Sequence, residues 1–229
     1  MTPTSANDSA PATDAAPAPR RPSVAESGDR WSYFGWAERP YFRRMSEFRY
    51  ELFGFFLRPL ARRGVRPNHI TAASFLTVLV GFPLFYGNRW YGAAFLALAI
   101  HILLDGLDGP LAKVVGKKNT AQGALMDMSN DVTGIVIVIF TVSFFGPVPW
   151  LLGTVYAVTY LYLTIFAVAQ NLLDLRYAYV VKTKYTVYVL LVVWWLTGVD
   201  LVSPVTALAT VYMGVSAFFG FVRVARALR

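Results

Sequence analysis

Four aspartates lie within two apolar stretches of the sequence, where acidic residues are rare. Asp105 and Asp108 are three residues apart near the end of one stretch, and Asp127 and Asp131 are four apart near the start of the next. An acidic residue inside a membrane segment costs roughly 2.5–3.5 kcal/mol. Spacings of three and four residues place each pair on one face of a helix. The pattern therefore predicts a functional carboxylate site.

The loop between the two stretches predicts that the four carboxylates come together. It is short, residues 113–122, so the two helices are expected to be antiparallel neighbours with the carboxylates at one depth. Neither stretch contains an arginine, and four carboxylates at close range cannot all stay ionised without cations. Oxygen-only ligands favour Mg²⁺, with Mn²⁺ or Ca²⁺ as alternatives. We predict two Mg²⁺ ions about 3.5–4 Å apart, the arrangement that holds a phosphoryl group during displacement.

The residues around the aspartates suit a phosphate-bearing ligand. Glycine permits close approach of a ligand to the backbone, and the N-terminal end of a helix favours anions. The glycines are Gly106, Gly109 and Gly123, and the nearby cations are Lys113, Lys117 and Lys118. The alternatives are that these glycines are packing points between membrane helices and that these lysines are topology signals.

Two further polar residues stand near the predicted site. His101 lies one turn before Asp105, and it either supports the carboxylates or makes an interhelical hydrogen bond, which we favour. Asn68 either caps the first membrane helix or contacts a nucleotide. Lys117 and Lys118 are expected to support the site from the connecting loop.

The elements that position these residues are membrane helices. Apolar residues make up 56% of the chain and charged residues 15%, against about 25% charged in soluble domains. Six apolar stretches run roughly over 70–87, 91–112, 123–145, 149–172, 181–198 and 203–222, each near the ~20 residues that span a bilayer. With a cytoplasmic N-terminus, 20 of the 21 Lys and Arg residues fall inside and only Arg89 outside. We predict an all-α integral membrane protein with six transmembrane helices and both termini cytoplasmic.

The remaining sequence divides into three parts. Residues 1–30 are rich in Ala, Pro and Ser and predict a disordered tail. Residues 31–66 alternate aromatic residues with arginines and predict interfacial or juxtamembrane amphipathic helices, and 67–229 form the catalytic domain. The net charge of +8 resides between apolar stretches, which favours lipid headgroups over nucleic acid. The absence of cysteine excludes disulfides and thiolate sites.

Residues 105–131, DGLDGPLAKVVGKKNTAQGALMDMSND, resemble the CDP-alcohol phosphotransferase family. Its pattern is D-x2-D-G-x2-A-R, a spacer, then G-x3-D-x3-D. The chain keeps the four aspartates together with Gly109, Ala112 and Gly123. Lys113 stands in place of the family arginine, and nine residues separate it from Gly123, one more than is usual in the family. The segment from Arg66 to Thr71 also resembles the family's P-N-x-x-T.

The resemblance implies an enzyme of phospholipid biosynthesis. It would transfer a phosphatidyl-type group from a CDP-linked donor, by family frequency CDP-diacylglycerol, to an alcohol and release CMP. Asp105, Asp108 and Asp127 would bind the metals, with Asp131 beside them also acting as general base. The nucleotide site would be lined by Gly109, Ala112, Lys113 and Gly123. The resemblance further implies a homodimer and one lipid substrate, in a bacterial-type inner or plasma membrane. The positive-inside count predicts that the aspartates lie at its cytoplasmic face.

Three alternatives remain open from the sequence. The first transfers a CDP-linked headgroup to a lipid alcohol. The second keeps the metal-binding aspartates but ionises a prenyl diphosphate, in prenyl transfer or terpene cyclisation, with aromatic residues stabilising a carbocation. The third, more remote, is a cation transporter; it is disfavoured because the carboxylates cluster at one face rather than at the midplane.

Overall fold

The computed structural model describes residue 35, residues 37–116, 121–175, 177 and 180, and residues 183–229, without the side chains of Phe42 and Arg43. The predicted disordered tail 1–30 and four basic residues of the loops, Lys117, Lys118, Arg176 and Lys182, lie outside the described residues. Within the described part the chain is helical and has no strand, so the all-α prediction is confirmed.

The first helix, α1, spans Arg39–Arg62 and precedes the membrane helices. Its exposed apolar residues include Phe48, Leu52, Phe55 and Phe56, whereas Leu57 is fully buried. Leu57 packs with Ile70 and Leu111 in a small core of its own. This core fixes α1 against the end of the bundle that carries the aspartates.

Most of the remaining helices are long and apolar. Helix α2 (Pro67–Leu76) continues through a π-helical segment (Thr77–Gly81) into α3 (Phe82–Gly87), and α4 (Tyr91–Asp105) is followed by α5 (Asp108–Val114). The others are α6 (Ala121–Phe145), α7 (Trp150–Leu172), α8 (Lys184–Thr197) and α9 (Val202–Ala227). Among the described residues, five helical stretches have the length and hydropathy to cross a membrane: Pro67–Gly87, Tyr91–Val114, Ala121–Phe145, Trp150–Leu172 and Val202–Ala227. The length and hydropathy of these helices therefore confirm the prediction of an integral membrane protein.

The fifth predicted span, 181–198, is shorter in the structure. Helix α8 has 14 residues, about 21 Å at 1.5 Å per residue, against a hydrocarbon core of ~30 Å. It ends at Gly198, whose φ of 73° is the left-handed conformation that glycine adopts at helix C-termini. A sixth complete span thus stays a prediction.

The main core lies where α3, α4, α6, α7, α8 and α9 meet. Its fully buried members include Phe82, Tyr86, Ile139, Tyr156 and Leu191. Small residues allow close approach between α7 and α9: a Cβ on Gly220 would lie 2.9 Å from the Phe166 Cβ. Helix α7 also packs against α6, and α9 packs against α8, so the α7–α9 pair connects these two helices.

Candidate active site

Asp105 and Asp108 flank a turn rather than sharing one uninterrupted helix. Helix α4 ends at Asp105, and α5 begins at Asp108. The cause is Pro110, which has no N–H to donate to the carbonyl four residues earlier, that of Gly106. The expectation of a continuous helix through both aspartates is therefore wrong, because the proline makes a break at Gly106 and Leu107.

Two hydrogen bonds hold the carboxylate of Asp108, the second aspartate of this turn. The Thr71 hydroxyl donates to Asp108 Oδ2 at 3.1 Å, and the Gly109 amide donates to Asp108 Oδ1 at 2.6 Å. Thr71 lies on α2, in the segment from Arg66 to Thr71 singled out in the sequence. The Asp108 carboxylate is thus oriented by the start of the first membrane helix.

Asp105 and Asp131 share one buried cation, Lys184. The Lys184 ammonium donates to Asp131 Oδ1 and lies 3.4 Å from Asp105 Oδ2. The exposed fractions of the three side chains are 2% for Lys184, 9% for Asp105 and 5% for Asp131. Helices α4, α6 and α8 are thereby joined at one charged centre, which sequence analysis missed.

A buried polar network of Asn130, Ser74 and His101 contacts Asp105. The Asn130 amide donates to Asp105 Oδ1 at 2.6 Å and to Ser74 Oγ at 3.4 Å. Ser74 Oγ lies 2.8 Å from His101 Nδ1 and donates to the His101 carbonyl. The interhelical hydrogen bond expected at His101 is present, and the network links α2, α4 and α6.

Asp127 belongs to the same group of charges. It lies one turn before Asp131 on α6, and its carboxylate and that of Asp105 both repel the carboxylate of Asp108. Carboxylate oxygens in such mutual repulsion have the donor chemistry that suits a divalent cation. Within the described residues, however, no three His, Cys, Asp or Glu side chains are gathered closely enough to hold a metal ion. Asp105 and Asp131 face the Lys184 ammonium there.

The residues expected to line a nucleotide site lie on α5 and near the start of α6. Gly109 and Lys113 are exposed on α5, Ala112 is half-buried between them, and Gly123 is exposed near the start of α6. A Cβ on Gly109 would meet no atom within 4 Å, so there is open space over the turn. Asn68 is exposed at the start of α2.

The connection between α7 and α8, which leads to Lys184, is tied to the segment before α1. Glu38 accepts hydrogen bonds from the amides of Gly35 (2.8 Å) and Val180 (3.2 Å). Arg39 Nη2 donates to Asn171 Oδ1 at 3.0 Å, and the Asn171 amide donates to the Tyr177 hydroxyl at 3.0 Å. Burial, and then the Glu38 charge, raise the pKa of the Tyr177 hydroxyl. Three chain segments therefore meet in one polar junction.

Residues 65–222 match the sequence model of the CDP-alcohol phosphatidyltransferase family. This region is more than half of the chain and contains the four aspartates and Lys184. The chain belongs to the CDP-alcohol phosphatidyltransferase family. The family resemblance is thus confirmed, while the activity and the roles of individual residues stay predictions.

Two relatives show similarity over parts of their lengths. The chain is 35% identical over 75 residues to inner membrane protein YnjF of Escherichia coli K12, covering 33% of this chain and 35% of that protein. It is 33% identical over 91 residues to archaetidylinositol phosphate synthase of Pyrococcus horikoshii, covering 40% of this chain and 47% of the relative. The matches therefore span less than half of either relative.

Proposed function

We propose that this protein transfers a phosphatidyl-type group from CDP-diacylglycerol to a polar alcohol and releases CMP. The observation that carries the proposal is the shared centre of Asp105, Asp131 and Lys184, which unites the family's first and last aspartates. Family membership supports the reaction class, and the membrane helices supply access to a lipid donor.

Asp131 is the proposed general base. It lies on α6, almost fully buried, and the Lys184 ammonium fixes the position of its carboxylate. A carboxylate at this place takes the proton from the acceptor hydroxyl as the oxygen attacks the phosphorus. Lys184 is a positioning residue in this account, because it compensates the charges of Asp105 and Asp131 together.

Asp105, Asp108 and Asp127 are the proposed ligands of two Mg²⁺ ions, with Asp131 beside them. If held by these carboxylates, divalent ions would supply positive charge to polarise the diphosphate and to stabilise CMP as it departs. The chain's own contribution is orientation: Thr71 and the Gly109 amide hold Asp108, and Asn130 holds Asp105. Gly109, Ala112, Lys113 and Gly123 are proposed to line the cytidine diphosphate on the strength of the family motif, and the open space around Gly109 supports this.

The proposal includes a sixth membrane helix at α8, both termini in the cytoplasm, and an active site at the cytoplasmic face. The distribution of Lys and Arg supports this orientation. Residues 1–30 as a tail, 31–66 as an interfacial region and 67–229 as the catalytic domain complete the organisation. A homodimer is part of the proposal on the strength of the family resemblance.

The test is alcohol-dependent CMP release from CDP-diacylglycerol by the full chain in nanodiscs. The acceptor panel begins with inositol phosphate, because one relative is named as an archaetidylinositol phosphate synthase, and continues with glycerol phosphate and serine. We expect one acceptor to raise CMP release, and Asp131→Asn to lower the rate roughly 10²–10⁴-fold. Ser129→Ala, an exposed neighbour on α6, is the matched control and should keep its rate.

Absence of CMP release with every acceptor would contradict the proposal. CDP-linked headgroups with diacylglycerol, and then prenyl diphosphates, are the donors to test in that case. Ion flux in vesicles that survives Asp131→Asn without any turnover would instead support a transporter.

A further inference from the structure

Arg49 brings an arginine to the aspartate-bearing turn from outside the family-matched residues 65–222. It lies on α1, and its Nη1 is 3.5 Å from the Gly106 carbonyl oxygen. A Cβ placed on Gly106 would be 3.4 Å from the same nitrogen. Gly106 lies between Asp105 and Asp108, and its carbonyl has no intrahelical donor because Pro110, four residues on, lacks an N–H. The guanidinium therefore stands at the edge of the proposed site.

The contact with Gly106 involves only one nitrogen of the Arg49 guanidinium. Arginine carries five N–H donors, and the single contact of Arg49 is at the long limit for a hydrogen bond. Its Nε is buried and has no hydrogen-bond partner, and among the described residues Arg49 forms no ion pair with either neighbouring aspartate. A buried charged donor without a partner is costly. The residue thus has both charge and donors free for an anion.

The position of Arg49 is fixed by the packing of its helix. Phe53 and Leu57, one and two turns further along α1, pack into the small core with Ile70 and Leu111. Leu111 lies on α5, one turn after Asp108, so α1 and the aspartate-bearing turn form one packed unit. The packing of α1 therefore holds Arg49 beside the turn.

We propose, on the basis of the proposed function, that Arg49 binds the diphosphate of the CDP-linked donor. The planar guanidinium of arginine matches two phosphate oxygens at once. Lys113, which is exposed on α5, is a point charge and has no such fork. The segment before the family domain in this way supplies the arginine of the diphosphate site.

The test compares Arg49→Gln with Arg49→Lys and with Arg58→Gln, an exposed arginine on the same helix. Glutamine keeps a polar amide of shorter reach but removes the charge. The measurements are the KM for CDP-diacylglycerol, the inhibition constant of free CDP, and the KM for the acceptor, all with the full chain in nanodiscs.

We expect Arg49→Gln to raise the donor KM and the CDP inhibition constant roughly 10- to 100-fold. The acceptor KM should stay within about twofold, Arg49→Lys should recover part of the affinity, and Arg58→Gln should match the wild type. Arg49→Gln with unchanged CDP inhibition would overturn the inference. An equal rise in donor and acceptor KM would also overturn it, because it would indicate that Arg49 only holds the Gly106 carbonyl in place. A wild-type protein that neither binds CDP nor uses a CDP-linked donor would overturn the proposed function itself.

Discussion

Replacement of Lys184 by methionine removes the cation that Asp105 and Asp131 share. Methionine keeps an unbranched apolar side chain of similar length and leaves two carboxylates without their common partner. All three side chains are at most 9% exposed, so water cannot compensate the lost charge. Lys184→Met is therefore expected to destabilise the protein strongly as well as to reduce turnover.

The expected loss is about 3–5 kcal/mol, the cost of removing one partner from a buried ion pair. A loss of 1 kcal/mol lowers the midpoint of thermal unfolding by about 2–4 °C in chains of 150–250 residues. The Lys184→Met midpoint should thus fall by roughly 6–20 °C. Lys113→Met, which alters an exposed lysine, should change the free energy of unfolding by no more than about 0.5 kcal/mol.

A double variant separates charge balance from simple loss of contacts. Lys184→Met with Asp131→Asn removes both members of the closer pair, and Asp105 keeps the hydrogen bond from Asn130. Because replacing both partners leaves no isolated charge at that pair, the double variant should recover at least half of the lost midpoint. The assay is thermal unfolding in one detergent at one heating rate, followed by tryptophan fluorescence and by size-exclusion recovery.

Two results would refute this reasoning. One is a Lys184→Met protein as stable as Lys113→Met, which means that the ammonium does not compensate the carboxylates. The other is a double variant whose loss equals the sum of the two single losses, which means that the pair is not coupled.

Three further substitutions test the surroundings of the centre. Asn130→Ala removes a hydrogen bond to a carboxylate, so we expect a loss of about 1.5–3 kcal/mol in thermal unfolding together with reduced CMP release; unchanged activity would argue against the network. Gly134→Ala places a Cβ 2.9 Å from His101 Nε2, and such overpacking should cost about 1–3 kcal/mol in the same unfolding assay, with no change if the His101 ring can move aside freely. Glu38→Ala deprives two backbone amides of their acceptor and should increase protease cleavage in the connection between α7 and α8, whereas Glu47→Ala, exposed on α1, should leave the cleavage pattern unchanged.

The carboxylates and most membrane helices follow from local sequence. Acidic residues are so costly in apolar stretches that Asp105, Asp108, Asp127 and Asp131 stand out without a structure. Length and hydropathy likewise predict the long helices, because a membrane helix satisfies its own backbone hydrogen bonds. The three-residue spacing of Asp105 and Asp108 does not by itself predict that they share one helix, because Pro110 breaks the helix between them.

Lys184 was harder to find because its role depends on contacts distant in the chain. It lies 53 residues from Asp131 and 79 from Asp105, and it opens an apolar stretch where lysine is also the usual topology signal. Arg49 likewise lies 57 residues from Gly106, which it contacts. Ser74 and His101 likewise reveal their link to Asp105 only through Asn130. Such pairings are set by helix packing, which no local pattern encodes.

The fate of the phosphate next to the lipid distinguishes phosphatidyl transfer from prenyl diphosphate chemistry. CDP-diacylglycerol labelled at the phosphate next to the lipid is incubated with the full chain in nanodiscs, Mg²⁺ and the active acceptor, and the label is followed by thin-layer separation. Phosphatidyl transfer breaks the bond between the two phosphates, so we expect labelled phospholipid together with unlabelled CMP, both formed roughly 10²–10⁴-fold more slowly with Asp131→Asn. Label that leaves the lipid as CDP would show carbon–oxygen cleavage, as in prenyl diphosphate chemistry, and would contradict the account.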